Sequence, residues 1–239
     1  MVKLAEGTNV IISAGIDQDF KITPAQLEAA ITPKTKALIL CSPSNPTGSV
    51  YSKEELKGLA EVLAKHENII VIADEIYEHI NYVGSHQSIA QFPEIKDRVV
   101  VVNGVSKAYA MTGWRVGFAV GEPEIISGMA KIISQTTSNL TSVSQYAAIE
   151  ALTGDQSSIE EMRKAFEERL NTIYPLLAEV PGFEVIKPQG AFYLFPNVKK
   201  AMEIKGYTDV NDFTNAILEE AEVALVTGAG SVSYTHLRA

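Results

Sequence analysis

The sequence predicts an α/β fold, with a mostly parallel sheet in residues 1–150 and a smaller α+β domain after it. Three observations carry that expectation. Residues 69–73 and 99–102 are continuous aliphatic, largely β-branched runs, which suit strands buried on both faces of a parallel sheet. Segments with helical signatures alternate with the strand-like ones, and strand followed by helix followed by strand is the order of α/β chains. Beyond about residue 150 the texture changes to short strands among helices.

The elements follow in order. Val10, Ile11 and Ile12 read as a short first strand. Thr23-Pro24 pairs an N-cap with proline at the first helical position, opening a helix to about residue 30. Residues 37–41 read as a strand. Ser52-Lys53-Glu54-Glu55 is a capping box, and the helix it opens repeats Leu56, Leu59, Ala60 and Leu63 at spacings of 3 and 4, the mark of one buried face. Residues 122–135 and 142–152 read as helices, and 158 to about 179 as a long one stopped by Pro181-Gly182. Short strands at 183–186 and 192–195, a helix from about 210 to 220 and a last strand at 223–226 complete the second domain, which ends near residue 230.

Composition bounds the function classes. The chain has 239 residues, 46% hydrophobic and 21% charged, with a formal net charge of −9. An acidic chain without a basic cluster does not suit nucleic-acid binding. Its apolar runs fall far short of the roughly 18 residues of a membrane span, so a soluble protein without membrane partners is expected. Cys41 is the single cysteine, which favours a reducing, cytoplasmic setting; its place in a strand reads as core rather than nucleophile. The N-terminus turns polar after four residues and does not read as a signal peptide.

Three of the apolar strands lead at their C-terminal ends into polar residues: Cys41 into Asn45, Ala73 into Asp74, and Val102 into Asn103, Ser106 and Lys107. Open parallel sheets bind ligands outside the carboxyl ends of their strands, so these residues are expected around one site. Ser44-Asn45-Pro46-Thr47-Gly48 has the composition of an ordinary turn. Asp74, straight off an apolar run, reads either as a partly buried carboxylate needing a partner or as the N-cap of a helix over residues 75–80. Glu78-His79 echoes part of a zinc motif, but the motif's first histidine is absent and no metal is expected.

Gly104-Val105-Ser106-Lys107-Ala108-Tyr109-Ala110-Met111-Thr112-Gly113-Trp114-Arg115-Val116-Gly117 could be a glycine-rich connection with scattered cations. It resembles instead the lysine-attachment signature of the fold-type I pyridoxal-phosphate aminotransferases. Taken with Ser44-Asn45-Pro46-Thr47-Gly48 and Ala73-Asp74-Glu75-Ile76-Tyr77 in that order, the chain resembles the aspartate aminotransferase branch from about residue 2 to residue 228. The resemblance implies pyridoxal 5′-phosphate as cofactor, an amino acid (aspartate) and a 2-oxo acid as substrates, and a homodimeric parent.

It also implies roles. Lys107 forms the Schiff base and then moves the substrate's α-proton as general base. A Schiff-base lysine must be uncharged for part of the cycle, a form that neighbouring cations and apolar groups favour; Arg115 stands eight residues on. Asp74 pairs with the pyridinium nitrogen, Tyr77 and Asn45 hydrogen-bond the ring's 3′ oxygen, and Ser106 and Arg115 bind the phosphate. On this reading the prolines and glycine around Asn45 hold its amide at a fixed height over the strand end. Tyr193 reads as a core aromatic rather than a substrate contact.

Family members run longer than this chain, which implies truncation at both ends and weak or no activity for the piece alone. Residues 231–239 match no aminotransferase tail and read as non-native, with Arg238 a poor match to the family's substrate-carboxylate arginine. A carbon–sulfur lyase using the same lysine and aspartate, and a non-catalytic cofactor-sensing module, remain alternatives.

Overall fold

A computed structural model describes residues 2–228 and the backbone of 237–238. Strands β1 (Ala37–Cys41), β2 (Ile70–Asp74) and β3 (Val99–Gly104) run parallel, and β4 (Gly117–Val120) returns antiparallel. Among the described residues this sheet is ordered β1-β2-β3-β4. Its register sets Cys41 beside Asp74 and Asp74 beside Val102, so three strand ends share one edge. The architecture is the α/β one expected. The antiparallel β4 is the element the glycine-rich stretch concealed.

Helices α1 (Pro24–Ala30) and α2 (Lys53–Ala64) cover one face of the sheet. Both begin with reciprocal capping boxes: Gln26 N donates to Thr23 Oγ1 at 3.2 Å while Thr23 N donates to Gln26 Oε1 at 2.8 Å, and Glu55 N donates to Ser52 Oγ at 3.2 Å while Ser52 N donates to Glu55 Oε2 at 2.7 Å. The apolar stripe of α2 is buried as its spacing predicts, and it meets Leu40, Val71, Ala73 and Val99. Leu63 is fully buried there. Leu63→Ala should therefore lower unfolding stability by about 2–5 kcal/mol, read as a reduced urea midpoint at unchanged slope. The opposite face is less covered, with Ile39 of β1 46% exposed; of the two strands expected to be buried on both faces, β3 is so more fully than β2, whose alternate residues are half-buried.

Helices α3 (Pro123–Thr136), α4 (Ser142–Thr153) and α5 (Ser157–Ala178) follow, then α6 (Lys199–Lys205), α7 (Val210–Ala221) and a two-stranded pair, β5 (Val226–Thr227) and β6 (Leu237–Arg238). A second core gathers Val198, Ala201, Met202, Val210 and Phe213. Among the described residues no helix is long and apolar enough to cross a membrane.

Several local expectations fail for identifiable reasons. Residues 10–12 form no strand; Val10 and Ile11 are 68% and 60% exposed, and a strand without a neighbour to complete its ladder gains nothing. Residues 183–186 and 192–195 make only the isolated bridge of Glu184 with Asn197 and the neighbouring one of Asn81 with Gly190. Helix α6 has Val198 at its N-cap position with no side-chain hydrogen bond, so its start carried no boundary signal. The last expected strand shrinks to Val226–Thr227. Residues 231–236 and 239, with the side chain of Arg238, lie outside the described residues.

Candidate active site

The sheet edge where β1, β2 and β3 end carries three loops. The first is the turn after β1. Ser44 N donates to Ser49 O and Gly48 N to Ser44 O, both at 2.9 Å, closing residues 44–49 on themselves. Gly48 has φ +69°, and a Cβ there would lie 2.5 Å from Pro188 Cβ and 2.8 Å from Gly190 O. Its carbonyl meanwhile accepts from Gln189 N and Gly190 N at 2.9 Å. Left-handed backbone and close approach both exclude a side chain. Gly48→Val should cost about 2–4 kcal/mol of stability, measured by chemical denaturation; an unchanged midpoint would show that the loop tolerates displacement.

Asn45 sits in this turn with its backbone N–H directed to Cys41 Sγ. Cys41 is half-buried rather than core; burial pushes its thiol up to about 11, and the thiol donates to Pro43 O at 3.4 Å, an environment that does not favour a thiolate nucleophile.

The second loop follows β2. Ile76 N donates to Asp74 Oδ1 at 3.2 Å, but residues 75–80 form turns rather than a helix, so Asp74 caps a turn at the strand end. The helix-cap reading of Asp74 is thereby corrected: Glu78 N to Glu75 O and Ile80 N to Tyr77 O are three-residue closures that do not propagate. Glu75 is buried, its Oε1 accepting from Ser88 Oγ at 2.6 Å, while His86 Nε2 lies 3.0 Å from Oε2 without hydrogen-bond geometry. Glu78 Oε1 accepts from Asn103 Nδ2 at 2.7 Å and lies 3.3 Å from His79 Nε2, whose hydrogen bond is the chief cause of the lowered Glu78 pKa. Ligand atoms of Glu75, Glu78 and His86 fall within 4.8 Å of one another, a grouping without a sequence signal; the partners just named already engage both carboxylates.

Tyr77 is 2% exposed and its hydroxyl lies 2.7 Å from that of Tyr193. Burial first, and the Tyr193 hydrogen bond second, raise its pKa. The half-buried Lys107, on the third loop, sets Nζ 5.5 Å from the centre of the Tyr77 ring and 5.4 Å from that of Phe192, within reach of a cation–π contact.

Ser106 and Arg115 stand at the two ends of that third loop. Gly104 pairs with Gly117 and Val105 N donates to Val116 O at 3.4 Å, so counting outward makes Ser106 and Arg115 the next residues across. Arg115 has φ +56° and its Nη1 donates to Thr112 O at 3.0 Å; its guanidinium is exposed. Asn45, Asp74, Tyr77 and Lys107 thus stand on loops at one sheet edge, with Ser106 and Arg115 at the start and finish of the Lys107 loop.

Phe192 and Tyr193 complete this edge and were not expected there. The only signal was the run Gly190-Ala191-Phe192-Tyr193, which is indistinguishable from a core strand. An open cleft of about 770 Å³ lies beside the site, between the 78–86 loop and the first turns of α5, lined by Glu78, His86 and Arg163 among others.

The family model "aminotransferase class I and II" matches residues 1–238. An asparagine–oxo-acid transaminase of Streptococcus mutans serotype c is 60% identical over 233 residues, covering 96% of this chain and 58% of that protein. An aspartate aminotransferase of Bacillus sp. strain YM-2 is 54% identical over 231 residues, covering 96% of this chain and 59% of that protein. The crystal structure of the aspartate aminotransferase from Rhizobium meliloti superposes with a TM-score of 0.93 at 39% identity, over 99% of this chain and 61% of that one. The chain therefore spans about three fifths of the length of the relatives it matches.

Proposed function

The chain belongs to the class I and II aminotransferases, whose cofactor is pyridoxal phosphate, and we propose that its parent protein transfers an amino group from aspartate to a 2-oxo acid. One observation carries the reading. Lys107 leaves a strand end with its amine set against the Tyr77 and Phe192 rings, and among the described residues no carboxylate lies within ion-pairing distance of it. An amine free of a counter-ion in a half-apolar setting is what covalent attachment of a carbonyl cofactor requires.

The donor set at this edge suits a phosphorylated hydroxypyridine. Asp74 offers a carboxylate to hold a proton on the ring nitrogen, Tyr77 and Asn45 offer donors to the ring oxygen, and Ser106 and Arg115 offer a hydroxyl and a planar cation to the phosphate. When bound, the cofactor supplies an electron sink for charge developing at the substrate's α-carbon. Lys107 would hold the cofactor, and its amine, when free, would accept the substrate's α-proton as general base. Phe192 and Tyr77 wall the amine from water on the side they cover.

The relatives' names favour aspartate and identify asparagine as the competitor. A core around residues 198–213, distinct from that around the sheet and α2, supports a second, smaller unit in the later part of the chain. The resemblance further suggests a cytoplasmic homodimer, and the exposed Val143, Tyr146 and Ile149 of α4 supply apolar surface for one.

The test is a half-reaction. Protein loaded with pyridoxal phosphate is mixed with L-aspartate or L-asparagine alone, and the 2-oxo acid released is measured against the visible absorbance lost. Stoichiometric 2-oxo acid, faster from aspartate, is expected. Release of ammonia and pyruvate from a cysteine conjugate instead would establish a lyase, and no spectral change with any amino acid in a full-length, cofactor-loaded protein would favour a sensing module.

A further inference from the structure

Tyr77 and Tyr193 are 116 residues apart in sequence, yet their hydroxyl oxygens meet at 2.7 Å. Their rings pack edge to face with centroids 5.8 Å apart, and Phe192 touches both, 5.4 Å from Tyr77 and 4.7 Å from Tyr193. The meeting is held by backbone: Tyr82 N donates to Gln189 O and Ala191 N to Ile80 O, each at 2.8 Å. Tyr193 is therefore delivered to Tyr77 at a fixed height by the same connection that carries Tyr77.

Two hydroxyls at this distance share one proton along the line between them. If Tyr77 donates to Tyr193, its only proton is used, and it has none left for another acceptor. If Tyr193 donates, the Tyr77 proton is free to point elsewhere. Tyr77 is 2% exposed, so bulk water does not compete for that choice.

We propose that Tyr193 is a positioning residue: with cofactor bound it donates to Tyr77, turns the Tyr77 proton toward the cofactor's 3′ oxygen, and strengthens that second bond by polarising the Tyr77 hydroxyl. The proposal rests on the reading that Tyr77 serves the cofactor's ring oxygen. It makes the second half of the chain, through Tyr193, a determinant of how the first half grips the ring.

The experiment compares binding of pyridoxal phosphate with that of its 3-deoxy analogue, which lacks the ring oxygen, by calorimetry on the intact protein. The unaltered protein should prefer pyridoxal phosphate. Tyr193→Phe keeps the ring and its packing, so affinity for the deoxy analogue should stay, while the preference for pyridoxal phosphate narrows about two- to tenfold. Tyr77→Phe should remove the preference, and the double variant should lose nothing more, as expected for two groups acting in series. A preference unchanged in Tyr193→Phe overturns the proposal alone. Equal weakening toward both compounds also overturns it, since that is what loss of packing would do. If the unaltered protein binds both compounds equally, the cofactor role of Tyr77 fails, and this proposal with it.

Discussion

Replacing Lys107 by alanine should abolish the visible absorbance that appears when pyridoxal phosphate is added, and with it amino transfer. No other lysine can substitute, because attachment needs an amine at this sheet edge, and Lys107 is the one set between the Tyr77 and Phe192 rings. On the proposed function two roles would be lost together, attachment and proton transfer; general-base catalysis alone typically contributes about 10²–10⁴-fold. Circular dichroism should show the fold intact, since the side chain makes no ion pair among the described residues. The measurement is an absorbance scan with and without cofactor, followed by the aspartate half-reaction. A visible band of undiminished intensity in Lys107→Ala would place the attachment elsewhere and undo the functional reading at its root.

Asp74→Asn should be the second largest loss. Asparagine keeps a side-chain oxygen for Ile76 N, which now donates to Asp74 Oδ1 at 3.2 Å, so the turn after β2 should survive. It lacks the negative charge that, on the proposed function, would hold a proton on the ring nitrogen, and an unprotonated ring is a weaker electron sink. Losing one preorganised electrostatic contact of this kind typically costs on the order of 10²–10³ in rate. The half-reaction should slow by that amount while the Lys107-dependent absorbance remains. A cofactor analogue methylated on the ring nitrogen carries its charge without a proton, and it should recover part of the rate in Asp74→Asn. Recovery would separate the charge argument from simple damage to the site. A rate within a few-fold of the unaltered protein would mean that Asp74 serves only its turn.

Much of the candidate site could be proposed from sequence because its residues lie in short contiguous stretches. Ser106, Lys107 and Arg115 fall within ten positions of one another; Asp74 follows directly on an apolar run, and Asn45 and Lys107 come within five residues of one. The parallel sheet then does the gathering, since strands in register end at one edge. Helix starts were legible for a related reason. Capping boxes at Thr23 and Ser52 satisfy orphan donors within four residues, so their signal is complete in the local sequence. Helix α6 has no such cap and went unread.

What the sequence by itself determined is the set of features closed over a few residues: the periodicities of α2 and the strands, the caps, and the order of the three motifs. Tertiary structure alone decided the rest. It denied residues 10–12 a strand neighbour, it closed the backbone of Gly48 against Gln189 and Gly190, and it brought Tyr193 to Tyr77 and Phe192 to Lys107. Each of these depends on segments far apart in sequence meeting at one distance and orientation. A local period records which face of an element is apolar, but not which distant side chain will cover it. Tyr193 therefore looked like any half-buried aromatic until the fold placed its hydroxyl against another.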